Sequence, residues 1–166
     1  MARGQGDVTV TLSVLDRLID REPNANAEAP LSRAQSIRIM KNAVRRDVEW
    51  LLNSRSIAFE PDEALKEINR SLYVYGLPDF STYAMASTAD QAKLLREILG
   101  TIKQFEPRLA DVRIVPVEMP GTGLKEVKLR IEALLRMDPS PEPVSFDTVI
   151  ELKSGACRVS GGTHEG

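Results

Sequence analysis

The sequence predicts an α+β domain in which N-terminal helices pack on a C-terminal three-stranded antiparallel meander. Two observations lead to this prediction. Up to about residue 105, apolar residues recur every three or four positions, as on one face of a helix. Beyond that point they alternate with charged residues, as in a sheet with one solvated face. Helices followed by strands are typical of α+β domains.

The 166 residues suit a single domain with short tails. Residues 1–31 are predicted to hold a short helix and, over 22–30, a linker rich in asparagine, alanine and proline. The domain itself is predicted over residues 32–160. The glycine-rich tail, residues 161–166, is predicted to be disordered.

Two helices are predicted in the first part of the domain. Ser32 and Gln35 have the spacing of a capping box, so a long helix should begin there and end near Asn53. Pro61 is suited to the first turn of a second helix, and Gly76 should end it. The apolar stripe of that second helix is Leu65, Ile68, Leu72 and Tyr75.

A third helix is predicted to begin at Thr88, with Gln91 completing a second capping box. It should end at Glu106, because Pro107 disfavours helical geometry at the residue before it.

Three strands are predicted after this helix, over Val112–Met119, residues 125–135 and residues 144–152. Pro116 confines the first strand to an edge or a bulge, because proline has no N–H to give to a ladder. The alternation in the other two strands predicts one buried face and one charged face. The pattern also allows a short strand over residues 156–159.

The composition excludes several classes of protein. The chain has 22 basic and 24 acidic residues, which is not the basic excess expected of a nucleic-acid-binding protein. No apolar run approaches the roughly 20 residues needed to cross a bilayer, and the N-terminus lacks the apolar stretch of a signal peptide. A cytoplasmic protein without direct membrane insertion is therefore expected. Cys157, the only cysteine, is predicted to pack as a small hydrophobe in a terminal strand.

The sequence indicates no enzyme, no metal and no cofactor. His164 is the only histidine and lies in the glycine-rich tail, which disfavours a histidine-dependent catalytic or metal site. The Gly121-Thr122-Gly123 segment fits a hairpin turn better than a phosphate-binding loop. With 24 acidic residues, a carboxylate pair is always available. A small carboxylate-dependent glycoside hydrolase therefore remains the alternative function.

Two charged segments are candidates for contact with other proteins. Glu106-Pro107-Arg108 places opposite charges around a rigid residue at the predicted helix-to-strand junction. The arginine could offer its fork of donors to a partner, or the two charges could form an internal pair. The other segment is a basic helix face, for which three interpretations are open: a nucleic-acid surface, a solvated surface, or a surface for an acidic protein partner. The acidic sequence pI of about 5.6 favours the solvated surface. The basic face consists of Arg38, Lys41, Arg45 and Arg46.

Five short motifs, in order, resemble those of one protein family. They are residues 13–18 (SVLDRL), 46–55 (RDVEWLLNSR), 71–72 (SL) together with 75–79 (YGLPD), 105–109 (FEPRL) and 146–148 (FDT). The series resembles the TssE family of type VI secretion baseplate subunits, which is related to the wedge proteins of contractile phage tails. The resemblance covers about residues 12–153, although Val74 stands where the family pattern has asparagine.

The resemblance implies a structural subunit, although some family members are labelled lysozyme-like. Its expected partners are the baseplate proteins TssF, TssG and TssK and the sheath proteins TssB and TssC, at a baseplate docked on the inner-membrane complex. The expected partner-binding residues are Glu106, Pro107, Arg108, Arg46, Asp47, Asn53, Arg55, Tyr75, Gly76, Pro78 and Asp79. Strands Val112–Met119 and Val144–Lys153 are predicted to help initiate the sheath by pairing with strands of other chains.

Overall fold

The computed structural model describes residues 14–18, 32–58, 61–84, 87–119 and 126–161. The linker over 22–30 and the tail beyond residue 161 lie outside these ranges. The main elements are α1 (Val14–Leu18), α2 (Arg33–Asn53), α3 (Thr88–Phe105), β1 (Leu109–Glu118), β2 (Glu126–Leu135), β3 (Glu142–Glu151) and β4 (Cys157–Gly161). The predicted α+β class is confirmed.

Within the described residues the sheet has four strands, so the prediction of three was wrong. All four are antiparallel and lie in the order β1-β2-β3-β4. The additional strand is β4, where the sequence pattern had only allowed a short strand. Its five residues are too few to give a clear alternation. Because β4 covers it, β3 lies inside the sheet.

Both long helices pack on the sheet, α2 against β4 and α3 against β1. The predicted alternation in β2 is confirmed, because every second residue from Val127 to Leu135 is buried. These side chains meet the apolar faces of the helices, where Val44, Val48 and Ile98 are fully buried. No helix within the described ranges is both long and apolar enough to cross a membrane.

The helix caps are formed by hydrogen bonds between residues that lie close together in the sequence. The Ser32 side chain accepts a hydrogen bond from the Gln35 backbone (3.3 Å), and the Gln35 side chain accepts one from the Ser32 backbone (2.9 Å). The predicted capping box of α2 is therefore confirmed. At α3 the cap is Ser87, one residue before the predicted Thr88, because the Ser87 hydroxyl accepts a hydrogen bond from the backbone of Asp90 (3.4 Å).

The predicted second helix does not form. Residues 61–75 consist of turns and two 3₁₀ helices, Ile68–Arg70 and Leu72–Val74. Local side chains bind the backbone there in place of a helical ladder. The Asp62 carboxylate accepts from the Ala64 N–H (2.8 Å), and the Asn69 amide donates to the Asp62 carbonyl (2.9 Å). The apolar stripe that predicted a helix is largely exposed, and Leu72 is 80% exposed.

Candidate partner-binding site

The end of α3 forms a tight charged junction with β1. Glu106 caps the helix by donating its N–H to the carbonyl of Ile102 (2.9 Å), as the proline after it predicts. The N–H of Leu109 then donates to the Glu106 carbonyl (3.1 Å), which closes the turn into β1. The Glu106 residue is 3% exposed, whereas Pro107 is exposed at the turn. The junction thus presents a proline above a buried carboxylate.

The two charges of the junction pair with each other. The Arg108 Nε donates to Glu106 Oε1 (2.6 Å), and its Nη2 contacts Glu106 Oε2, so the guanidinium binds the carboxylate through two nitrogens. The backbone N–H of Arg108 adds a third bond to Oε1 (3.2 Å). Of the two interpretations that the sequence left open, the structure contains the internal pair.

The pair belongs to a larger ionic network that links α1 and α2 to the segment between α3 and β1. Arg108 Nη2 also donates to Asp47 Oδ2 on α2 (2.7 Å), and Asp47 Oδ1 accepts from Arg46 Nη2 (2.7 Å). Arg46 Nη1 in turn donates to Asp16 Oδ1 on α1 (2.8 Å). The Asp16 side chain is 1% exposed and that of Glu106 is 4%, whereas those of Arg46, Asp47 and Arg108 are 22–23% exposed. We call these five residues the junction network.

The junction network keeps its arginines charged. Hydrogen bonds with Glu106 are the main reason that the pKa of Arg108 is raised, and Asp47 adds to this against the opposing effect of burial. Burial acts to lower the pKa of Arg46, but hydrogen bonds with Asp47 and Asp16 outweigh it and raise that pKa. Three carboxylates share two guanidinium groups, so the network carries one net negative charge. Each carboxylate contacts an arginine directly.

Two further features of the junction are a buried nitrogen without a hydrogen bond and an aromatic ring pair. Arg108 Nη1 is buried and has no hydrogen-bond partner among the described residues. The Tyr75 ring packs edge-on against Phe105, with 5.2 Å between ring centroids. Burial, together with the charges of Asp47 and Glu106, raises the pKa of Tyr75, so its phenol stays protonated as a donor.

A second group of predicted residues fastens the C-terminal end of α2 to β4. The Asn53 amide donates to the Cys157 carbonyl (2.7 Å) and accepts from the Cys157 N–H (2.9 Å), which imitates a neighbouring strand. Arg45 Nη1 donates to the Val159 carbonyl (2.9 Å). Side chains of α2 thus occupy the outer edge of β4.

Arg55 and Gly76 also make internal contacts. Arg55 Nη2 donates to the Gly155 carbonyl (2.7 Å), and its guanidinium lies 4.9 Å from the centre of the Phe80 ring. Gly76 has a φ of 106°, and the next residue, Leu77, donates its N–H to the Ser54 carbonyl (2.9 Å). These residues hold the loop before α3 against the end of α2.

The predicted site residues therefore fall into two groups rather than one. The junction contains Glu106, Pro107 and Arg108 with Arg46, Asp47 and Tyr75. Around the end of α2 lie Asn53, Arg55 and Gly76, and beside them are half-buried Pro78 and exposed Asp79. The Ser81 backbone N–H donates to Asp79 (2.9 Å), and that bond is the main reason that the pKa of Asp79 is lowered.

The sequence-based list omitted Asp16, the buried partner of Arg46, and Trp50, whose ring lies 4.9 Å from the Arg46 guanidinium. Both residues lie in the motifs that suggested the family, so their place in those motifs was the signal that could have identified them.

Cys157 packs in β4 as predicted and is 6% exposed. Burial and the charge of Glu49 raise the pKa of its thiol from 9.0 to about 12. At about pH 8 we expect a thiol reagent to react with the native protein about 100-fold more slowly than with the urea-unfolded chain. As the pH rises, the thiol of the unfolded chain ionises before the buried thiol does, which favours unfolding. The stability that the buried, neutral thiol contributes should therefore be complete below about pH 9 and lost as the pH rises to about 12. Rapid labelling of the native protein would contradict the burial.

The fold and the junction define an α+β domain in which one ionic network joins α1 and α2 to the turn between α3 and β1. The chain matches the family model of the baseplate wedge protein gp25 over residues 38–140, which is more than half of its length. It therefore belongs to the gp25 family of baseplate wedge proteins, and the family inferred from the five motifs is confirmed. Neither the comparison with curated proteins nor that with solved structures gave a match.

The matched region includes α2 from residue 38 onward, all of α3, and Glu106, Pro107 and Arg108. The family is structural, and its domain indicates a structural role in the baseplate of a contractile tail system.

Proposed function

We propose that this chain is the baseplate wedge subunit of a type VI secretion system, with a structural and non-catalytic role in the bacterial cytoplasm. The family match supports the baseplate role. The resemblance of the five motifs to the TssE family supports the type VI assignment. The observation that carries the proposal is the junction network, four of whose five residues lie within the matched region and two of which, Glu106 and Arg108, belong to the Glu-Pro-Arg motif.

In this proposal the junction docks the subunit onto TssF and TssG. The network fixes the turn before a partner arrives, so docking loses little conformational entropy. Pro107 is exposed at the turn, and Arg108 retains a nitrogen without a hydrogen bond. Because that nitrogen is buried, it would reach a partner carbonyl only after a local rearrangement. TssK would join the same baseplate without requiring a separate site on this chain.

The sheet would contact the sheath proteins TssB and TssC. β1 is an edge strand with exposed Val115 and Val117, as a contact surface requires. Its register shifts between Ala110 and Arg113 and again after Pro116, so continuous backbone pairing along this edge is limited to a few residues. The proposed role of the other strand, Val144–Lys153, needs revision, because β4 pairs with half of β3, from Phe146 to Ile150.

The docking proposal can be tested with Pro107→Asp, which places a charge on the exposed turn and leaves the junction network intact. We expect its affinity for the TssF–TssG complex in a pull-down titration to fall about tenfold. Pro141→Asp, in the exposed loop between β2 and β3, is the matched control and should bind normally. Circular dichroism would verify the fold of both variants.

Normal binding by a folded Pro107→Asp variant would exclude docking through the junction. Failure of the wild-type chain to bind TssF–TssG would overturn the proposed function as a whole.

A further inference from the structure

A groove of about 290 Å³ lies between the C-terminal half of α3 and the segment that connects α2 to α3. One wall is the face of α3 that carries Glu97, Thr101 and Gln104. The groove adjoins the junction at Phe105, and all of its lining residues belong to the described part of the chain. The opposite wall is made by residues of the connecting segment, namely Ser56, Ile57, Asn69, Val74, Gly76 and Pro78.

The α3 wall of the groove contains a glycine that the fold itself does not require. Gly100 lies in the interior of α3, where glycine costs about 0.5–1 kcal/mol relative to alanine. Its backbone is helical, and an added Cβ would meet no described atom within 4 Å apart from its chain neighbours and the backbone of its own helix. Packing within the described chain therefore does not explain the glycine. The missing side chain leaves room for another molecule to approach the backbone of α3 closely.

Exposed apolar side chains are concentrated in the segment that forms the other wall. Ile57 lines the groove and is 45% exposed. Four more exposed apolar residues follow it in the same segment, namely Leu65, Ile68, Leu72 and Tyr73. These five are half of the ten large hydrophobic side chains that are exposed in the described part of the chain, so the segment is more apolar than the rest of the surface. A concentration of this kind is typical of a surface that another protein covers.

The groove contains one ionisable group, which favours a cation in the occupant. Glu97 is half-buried and is the only ionisable residue among those that line the groove. Within the described residues its carboxylate has no ion pair. It has only a longer-range attraction to Lys93, whose ammonium lies 4.7 Å from the centre of the Tyr83 ring. An occupant with a lysine or arginine among its apolar residues would therefore complement the groove.

The walls of the groove favour an occupant that satisfies its own backbone hydrogen bonds. α3 bonds its backbone internally as a helix, and the N–H groups of Asn69 and Val74 donate to the carbonyls of Leu65 and Ser71 (3.0 and 3.3 Å). No described strand lines the groove. Backbone groups that become buried need partners, and a helix provides them within its own chain. The groove is therefore suited to a helix that inserts apolar side chains at intervals of three and four residues.

We propose that this groove binds an amphipathic helix of a partner protein, which packs its apolar face against Ile57 and Gly100 and places a lysine or arginine beside Glu97. The groove is a second surface, distinct from the exposed turn at Pro107. If the helix belongs to TssF or TssG, the proposal rests on the function proposed above and adds the chemistry of the segment that is recognised.

The proposal can be tested on the ¹⁵N-labelled full chain with two synthetic amphipathic helical peptides. Both have leucine at the same positions, and their polar faces carry lysine in one peptide and glutamate in the other. We expect the lysine peptide to shift the amide signals of Gly100 and Ile57 and to bind at least about tenfold more tightly than the glutamate peptide. Equal affinity of the two peptides, or no shift with either, would overturn the proposal.

Two charge variants test whether Glu97 provides the preference for lysine. Glu97→Lys should remove most of that preference. The matched control is Glu132→Lys, which changes the net charge by the same amount on the exposed face of β2 and should keep the preference. Equal loss in the two variants would mean that the overall charge of the chain selects the peptide, and the proposed cation site would be wrong.

Gly100→Leu tests the space in the groove. Leucine is a better helix former than glycine, so the fold should be retained, but the added side chain would occupy the groove and weaken binding of the lysine peptide about tenfold or more. Ala92→Leu is the matched control, because it enlarges an exposed residue of α3 that does not line the groove. Circular dichroism would verify both folds. Unchanged binding by folded Gly100→Leu would exclude this groove.

The remaining outcomes separate this proposal from its alternatives. A wild-type dimer in sedimentation that Gly100→Leu abolishes would make a second copy of the chain the occupant, and the partner proposal would fail. If the wild-type chain binds TssF–TssG but neither peptide, the groove proposal fails and the docking function stands. If it binds the lysine peptide but not TssF–TssG, the docking function fails and the groove remains a helix-binding surface.

Discussion

Replacing Arg108 with alanine is expected to lower the free energy of unfolding by about 3 kcal/mol. Removing one member of a buried ion pair costs about 3–5 kcal/mol, because the other charge remains buried without compensation. The lower end applies, since the Arg108 side chain is 23% exposed while the Glu106 side chain is 4% exposed. The same substitution also removes a cation from Asp47. Urea denaturation followed by circular dichroism measures the change.

Two further variants test the physical reason for that loss. Arg108→Lys keeps the charge but cannot bind Glu106 through two nitrogens, so its loss should be intermediate. Arg113→Ala removes an exposed arginine of β1 and should change the free energy of unfolding by less than about 0.5 kcal/mol. If Arg108→Ala cost no more than Arg113→Ala, the junction network would not stabilise the fold.

The expected loss affects how docking experiments on the Glu-Pro-Arg motif should be designed. An Arg108→Ala variant that fails to bind TssF–TssG could fail because its fold is weakened, not because a contact with the partner is lost. Pro107 is the better probe, because it is exposed and belongs to the same turn. The motif therefore combines two roles, with Glu106 and Arg108 organising the junction and Pro107 exposed on its surface.

Gly76→Ala is expected to destabilise the protein by about 3 kcal/mol or more. Gly76 has a φ of 106°, a backbone conformation that costs other residues about 1–3 kcal/mol. In addition, an added Cβ would lie 2.5 Å from the Ser54 carbonyl oxygen. That oxygen accepts the Leu77 N–H (2.9 Å), so it cannot move without loosening the contact between the loop and α2. The melting temperature and urea midpoint should both fall.

Gly100→Ala provides a control for which the opposite change in stability is expected. Gly100 lies within α3, and an added Cβ there would have no described atom within 4 Å apart from its chain neighbours and the backbone of its own helix. Alanine is favoured over glycine in a helix interior by about 0.5–1 kcal/mol, so this variant should be more stable than the wild type. A Gly76→Ala variant as stable as Gly100→Ala would contradict the close approach of Gly76 to Ser54.

The sequence by itself determined the features that depend on neighbouring residues. Ser32 and Gln35 predicted the start of α2, Pro107 predicted the end of α3, and the period of two predicted the buried face of β2. Caps, proline constraints and periodicity are local effects, so a single sequence contains the information to detect them. The series of motifs likewise indicated the family without any knowledge of the contacts.

Only the tertiary structure decided how these elements are joined. Residues 61–75 have the spacing of an amphipathic helix, but hydrogen bonds around Asp62 and Asn69 hold them in turns. The contacts of Asn53 with Cys157 and of Arg108 with Asp47 join residues that are far apart in the chain. Their geometry depends on how the helices pack on the sheet. For that reason the sequence could name residues of the junction, but only the fold could show that they form one network.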